Sequence, residues 1–192
     1  MDFKSILERV APLVKPQKRM EVGEKEVERY ARMMAEAGYI PSTESLAAIK
    51  CCLEKYGVIL SGDVGTGKTF FFQTLYRPIP KKMFTAQEIV AAHTPGDVAE
   101  WLSQWDESTF ILDDLGAELR LNDYGNKVEL LSLVIEHRAR LRDVQTHITT
   151  NLSAKGIRER YGDRILDRIN GMCKAVKFVG RSLRNAKPVR LS

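Results

Sequence analysis

Short apolar runs alternate with longer amphipathic stretches from residue 56 towards the end of the chain. Runs with the length of buried strands occupy residues 57–61, 82–85, 109–112, 146–149 and 175–179. The stretches between them carry apolar residues at helical spacing, and the longest of these covers residues 126–142. Strands that alternate with helices are typical of an α/β domain with a parallel sheet. The sequence therefore predicts a three-layer α/β sandwich.

The first 55 residues show a different pattern. Residues 1–20 contain two prolines and read as an irregular leader, whereas residues 21–37 and 42–55 are rich in helix formers. We therefore predict an N-terminal leader with a short helical extension over 1–55 and a core domain over 56–192. Little chain follows the last predicted strand, so no sizeable C-terminal lid is expected.

Composition excludes several classes of protein. No apolar run approaches the roughly 20 residues that a membrane span needs, and the N-terminus lacks the apolar region of a secretory signal. The three cysteines, Cys51, Cys52 and Cys173, do not have zinc-ligand spacing. These features predict a cytoplasmic protein with reduced thiols and no membrane partner.

The charge distribution is uneven. The chain has 192 residues and a net charge of +5, which permits binding to nucleic acid without demonstrating it. From Lys174 to Arg190 there are six basic residues and no acidic one. This stretch fits a solvated tail and a phosphate-contacting surface equally well.

The segment GDVGTGKT, residues 62–69, matches the phosphate-loop pattern G-x-x-x-x-G-K-[ST] in full. An apolar strand enters it and a helix leaves it, so loop N–H groups and the positive end of the helix dipole face the same point. Lys68 would reach the β- and γ-phosphates of ATP, and Thr69 would offer its hydroxyl to Mg²⁺. We predict that ATP or ADP is bound by Gly62, Asp63, Val64, Gly65, Thr66, Gly67, Lys68, Thr69 and Phe70.

Two further strand ends carry polar residues suited to such a site. Asp113 and Asp114 follow the apolar run 110–112, where Asp113 would hold Mg²⁺ and Asp114 would act as general base on the attacking water. Asn151 follows the strand at 146–149 and would orient that water or contact the γ-phosphate. The alternatives are an acidic turn for the aspartates and a helix N-cap or turn residue for Asn151.

These residues together resemble the AAA+ ATPases, and within them the helicase-loader branch that includes DnaC and the transposition helper IstB. The resemblance covers about residues 56–184 and rests on these segments: GDVGTGKT, FILDDLGAE, VIEHRAR, ITTN, RYGDRILDRI and VGRSLR. It implies a P-loop AAA+ core that binds and hydrolyses ATP with Mg²⁺. The second acid is Asp114, where many AAA+ proteins have glutamate; its shorter side chain is compatible with slow hydrolysis, although aspartate also occurs there within this branch.

The resemblance also implies roles for three arginines. Arg168 corresponds to the arginine finger that completes a neighbouring subunit's site, with Arg164 as the other candidate, and Arg184 corresponds to a nucleotide-contacting sensor. From spacing alone, surface ion pairs with Asp163 and Asp167 are the favoured explanation of Arg164 and Arg168.

The function that these expectations favour is an ATP-hydrolysing DNA-replication factor similar to a bacterial or phage helicase loader. It would form ATP-dependent homo-oligomers on single-stranded DNA and contact a replicative helicase. Two alternatives stay open: a transposition helper that acts on duplex DNA, and a nucleotide-gated binding module with little hydrolysis. A small-molecule kinase is disfavoured because no acceptor-binding set of residues accompanies the phosphate loop.

Overall fold

The computed structural model describes residues 20–77, 82–118 and 124–180, with the side chains of 124–128 excepted. In these ranges the chain forms a five-stranded parallel sheet with the strand order β2-β3-β4-β1-β5. The strands are β1 Gly57–Ser61, β2 Lys82–Thr85, β3 Phe110–Leu115, β4 Thr146–Thr150 and β5 Cys173–Lys177. The predicted α/β class with a parallel sheet is confirmed.

Helices cover both faces of the sheet. In chain order they are α1 Glu24–Glu36, α2 Thr43–Leu53, α3 Lys68–Leu75, α4 Ala86–Ala92, α5 Val98–Ser103, α6 Tyr124–Arg140, α7 Ala154–Tyr161 and α8 Asp163–Met172. Most bounds differ from the predicted ones by a few residues, as is usual at helix ends.

Side chains that alternate along the strands form two separate cores. Ile59, Leu112 and Ile148 pack with α4 to α8 on one face, whereas Val58 and Leu60 pack with α1 to α3 on the other. Because successive strand residues point to opposite faces, β1 and β3 contribute to both cores. The result is the three-layer arrangement that the alternating pattern predicted.

The helical extension is part of the second core. Met34 and Tyr39 are buried against Phe71 of α3, and Tyr39 stands edge-on to that ring at a centroid distance of 5.8 Å. Helix α2 begins after Ser42, whose hydroxyl accepts the N–H of Ser45 at 3.3 Å. The leader at 1–19 lies outside the described residues, and the division of the chain at residue 55 stays a prediction.

The last strand corrects one expectation. It was expected at 175–179 but runs over Cys173–Lys177, in register with Gly57–Ser61 of β1. The exposed Lys174 and Lys177 interrupt its apolar pattern because β5 is an edge strand. Within the described ranges, no helix has the length and apolar character needed to cross a membrane.

Candidate nucleotide-binding site

The phosphate loop lies between β1 and α3 and has the backbone that its glycines permit. Gly62, Gly65 and Gly67 have φ values of 141°, 86° and 87°, a region that side-chain-bearing residues rarely adopt. A Cβ atom at Gly62 would collide with the carbonyl oxygen of Phe178. Glycine is therefore required there by both backbone angle and space.

Lys68, the first residue of α3, connects the loop to a second strand end. It is 5% exposed, and its Nζ donates to the carbonyl oxygens of Gly62 and Asp63 at 2.7 and 2.8 Å. The same Nζ donates to Oδ1 of Asn151 at 2.7 Å. Asn151 follows β4, the strand beside β1, so the structure brings the predicted lysine and the predicted polar sensor into direct contact.

Asp113 is the centre of a second group of contacts. Its Oδ1 accepts the hydroxyl of Thr69 at 3.0 Å and the hydroxyl of Thr149 at 2.6 Å. Burial raises the pKa of the Asp113 carboxyl above its ordinary value, and the two hydroxyls oppose that rise whereas the charge of Asp114 adds to it. The hydroxyl of Thr69 and the carboxylate of Asp113 therefore meet at one point.

Asp114 is directed by an irregularity in the sheet. Leu112 pairs with Ile148 and Leu115 with Thr150, so β3 has one more residue than β4 over this interval. A β-bulge of this kind re-aims the side chains within it. Asp114 takes a left-handed φ of 54°, and its N–H donates to the hydroxyl of Thr149 at 2.9 Å.

Loop and strand ends surround a cavity of about 480 Å³. It is lined by Val64, Gly65, Gly67, Lys68, Thr69, Phe70, Gln73, Asp114 and Asn151. Phe70 is 40% exposed at the cavity, and its ring lies 5.9 Å from that of Tyr39. A volume of this size suits a small ligand, and the lining combines a cation, a carboxylate and an amide at one edge.

The donors present fit Mg²⁺. This ion prefers oxygen ligands, keeps several waters and usually takes only one or two protein groups beside phosphate oxygens. Thr69 and Asp113 supply a hydroxyl and a carboxylate that already share a hydrogen bond. No group of three or more His, Cys, Asp or Glu side chains that could hold a metal occurs in the described part of the chain.

The two arginines suggested for the finger differ in their surroundings. Arg164 forms a two-point ion pair with Glu136 of α6, with Nε and Nη2 each 3.0 Å from a carboxylate oxygen. The side chain of Arg168 is exposed, and its guanidinium makes no hydrogen bond or ion pair with any residue that the structure describes. The expected pairing of Arg164 with neighbouring acids is wrong, since Asp163 instead accepts Arg158 at 2.6 Å.

Arg168 also lies far from the cavity of its own chain. It lines a groove of about 720 Å³ together with Gly57, Thr146 and Cys173, the first residues of β1, β4 and β5. The phosphate loop follows the opposite end of β1, roughly 13 Å further along the strand. Arg184 lies outside the described residues.

A buried ionic group behind the aspartates was not expected from the sequence. Glu118 is 2% exposed and forms an ion pair with Arg160 at 2.6 Å, and it also accepts the hydroxyl of Tyr161. We call these three residues the Glu118 cluster. Thr149 was also missed, although its place in β4, two residues before Asn151, could have revealed it.

Comparison with known proteins supports the fold. No protein-family profile matches the chain, and no curated protein matches it. Among solved structures, the chain is similar to a crystal structure of the DnaC helicase loader, with a TM-score of 0.58 and 23% sequence identity over 79% of this chain and 99% of that one. The chain therefore has a DnaC-like α/β fold of the P-loop NTPase kind.

Proposed function

We propose that this chain binds ATP with Mg²⁺ in the cavity beside the phosphate loop and hydrolyses it. The contact of Lys68 with Asn151 carries the proposal, because it brings together the loop and the carboxyl end of β4. In a parallel sheet, ligands bind beyond the carboxyl ends of the strands. The bond between Thr69 and Asp113 adds the carboxyl end of β3 to the same place.

Each residue has a distinct part in this proposal. Lys68 neutralises charge on the β- and γ-phosphates, while the loop N–H groups hold the phosphate oxygens. Thr69 and Asp113 would hold Mg²⁺, which would supply positive charge to the phosphate oxygens. Asp114 accepts a proton from the attacking water, and Asn151 orients that water with its side-chain amide.

The biological role proposed is that of a helicase-loader-like ATPase in DNA replication. The DnaC-like fold supports it, together with the basic residues that begin at Lys174 in β5. Single-stranded DNA is the proposed nucleic-acid partner, and a replicative helicase is the proposed protein partner. Phosphate contacts by lysine and arginine would supply sequence-independent affinity that falls with rising salt.

Arg168 is the residue proposed to reach the nucleotide of a neighbouring subunit in a homo-oligomer. This arginine lies at the far end of β1 from its own phosphate loop and has no partner among the described residues, so it is available to a second copy. An arginine that approaches the transferring phosphate stabilises charge in the transition state. Arg164 is the weaker candidate because Glu136 already binds its guanidinium at two points.

The direct test is steady-state ATP hydrolysis by the wild type, by Lys68→Ala and by Lys155→Ala as a matched control. Lys155 is an exposed lysine on α7 whose side chain is 81% accessible, so its loss should leave turnover unchanged. We expect wild-type turnover that single-stranded DNA increases and that Lys68→Ala abolishes, with nucleotide affinity measured in parallel.

Other outcomes would redirect the proposal. Stimulation by duplex DNA alone would favour the transposition helper. Tight ATP binding without turnover above that of Lys68→Ala would favour a nucleotide-gated binding module. Hydrolysis that responds to neither form of DNA would refute the replication role while leaving the ATPase intact.

A further inference from the structure

The Glu118 cluster holds a charged pair almost entirely away from water. The side chains of Arg160 and Glu118 are 7% and 1% exposed, and Nη2 of Arg160 donates both to the carboxylate and, at 2.9 Å, to the backbone carbonyl of Glu118. Tyr161 adds a hydroxyl donor to the same carboxylate. Buried ion pairs contribute little net stability compared with apolar packing. Stability alone therefore does not explain why a charged pair occupies this place in the fold.

The cluster is attached to the backbone that carries Asp114. Oε2 of Glu118 accepts the N–H of Gly116 at 2.9 Å, and the N–H of Ala117 donates to the carbonyl of Asp114 at 2.9 Å. We call residues 114–117 the acid turn. Its first residue has a left-handed φ and its third, Gly116, has a φ of 97°. Such a backbone persists only where surrounding contacts fix it.

Two further contacts tie the acid turn to the end of β4 and to the segment that follows it. The hydroxyl of Thr150 donates to the carbonyl of Leu115 at 2.6 Å, and a Cβ atom at Gly116 would collide with the side chain of Leu152. Helix α7 begins at Ala154, shortly after Asn151, and ends with the two residues that bind Glu118. The cluster therefore joins the backbone of the aspartate to the helix that follows the asparagine.

We infer that Glu118 is a positioning residue that fixes the direction of the Asp114 carboxylate relative to Asn151 by holding the acid turn against the C-terminal end of α7. The inference rests on the proposed hydrolysis, in which Asp114 is the base. A base must lie within hydrogen-bond reach of the proton that it accepts, and a misplacement of about 1 Å lowers rates on the order of a hundredfold. Nucleotide affinity comes from the phosphate loop, which Glu118 does not contact.

Glu118→Gln tests this inference, with Glu159→Gln as the matched control. Glu159 lies on the same α7 and forms an exposed pair with Lys155 at 3.7 Å. For Glu118→Gln we expect kcat to fall by about tenfold to a hundredfold, with KM and nucleotide affinity within about twofold of the wild type. Glu159→Gln should leave both parameters unchanged.

A double-mutant cycle separates positioning from a general structural role. If Glu118 acts through Asp114, then Glu118→Gln should cause no further loss of kcat in an Asp114→Asn background. Losses that multiply, or an increase in KM that accounts for the whole effect, would overturn the inference while leaving the proposed ATPase activity standing.

Hydrogen exchange supplies a readout that needs no turnover. Without the Glu118 carboxylate, the amides of 114–118 should exchange at least about tenfold faster, whereas those of β1 and β4 should keep their protection. Unchanged exchange in the acid turn would overturn the inference even if the enzyme hydrolyses ATP. If the wild type does not hydrolyse ATP, the proposed function fails, and faster exchange confined to the acid turn would still support the positioning role.

Discussion

Thr149 allows a test of how the buried charge of Asp113 is stabilised. Its hydroxyl donates to Asp113 at 2.6 Å and accepts the N–H of Asp114 at 2.9 Å, and the residue is fully buried. Thr149→Val keeps the shape of the side chain but removes the hydrogen bond to the ionised Asp113, which is worth about 1.5–3 kcal/mol. It also leaves the buried N–H of Asp114 without its acceptor, at a cost of about 1 kcal/mol or more. We expect the free energy of unfolding to fall by roughly 3 kcal/mol at pH 7.

The loss should depend on pH with a defined sign. Burial already raises the pKa of Asp113 above its ordinary value, so this carboxyl opposes folding at high pH and opposes it less as it becomes protonated. Removal of the Thr149 donor should raise the folded-state pKa further. The destabilisation caused by Thr149→Val should therefore shrink as pH falls through the two folded-state pKa values, by about 1.4 kcal/mol for each unit that separates them.

The adjacent threonine provides the control. The hydroxyl of Thr150 donates to the neutral carbonyl of Leu115 at 2.6 Å and accepts the N–H of Leu152 at 3.0 Å, and no titratable group takes part. Thr150→Val should cost roughly 2 kcal/mol at every pH. Urea unfolding followed by circular dichroism at a series of pH values from 7 down to about 4, near the ordinary pKa of an aspartate, would measure both. Equal pH dependence in the two variants would refute the reasoning, because the Asp113 charge would then not depend on Thr149.

Three further outcomes are expected. Arg168→Ala should lower ATP turnover by a factor on the order of 10³, whereas Arg164→Ala should retain most of it. A mixture of Arg168→Ala with Lys68→Ala should recover activity, because intact fingers then meet intact phosphate loops. A mixture that recovers no activity would refute a finger that acts between subunits. Burial lowers the pKa of His147 to about 3, so the wild type should lose up to about 1.4 kcal/mol per pH unit below 6.5, and His147→Asn should reduce that slope in urea unfolding. Ser42→Ala removes the N-cap of α2 and should lower the free energy of unfolding by about 1 kcal/mol, seen as a lower urea midpoint.

Much of the site's assembly follows from pattern alone. The sequence places a polar residue or a glycine loop after each of three apolar strands, and parallel strands bring their carboxyl ends to one edge. The structure accordingly places Lys68 against Asn151 and Thr69 against Asp113. The catalytic and binding roles of these residues stay predictions, because geometry shows proximity and not chemistry.

The remaining features depend on packing between distant segments. Glu118 pairs with Arg160, and Arg164 pairs with Glu136 on another helix. Neither partnership has a periodic signal, since the helix orientations that create them are set by the core. The bulge that turns Asp114 is similarly hidden, because an extra residue in one strand is defined only by the register of its neighbour.

The edge of the sheet formed by β5 has a consequence for how copies of this chain meet. Beyond its pairing with β1, this strand has no further strand beside it among the described residues, and it carries the exposed Lys174 and Lys177. Lysines on an edge strand oppose the addition of another strand, because pairing would desolvate and crowd their charges. Association by continuation of the sheet, the route to aggregates, is therefore disfavoured at this edge, and assembly is directed to helices and loops.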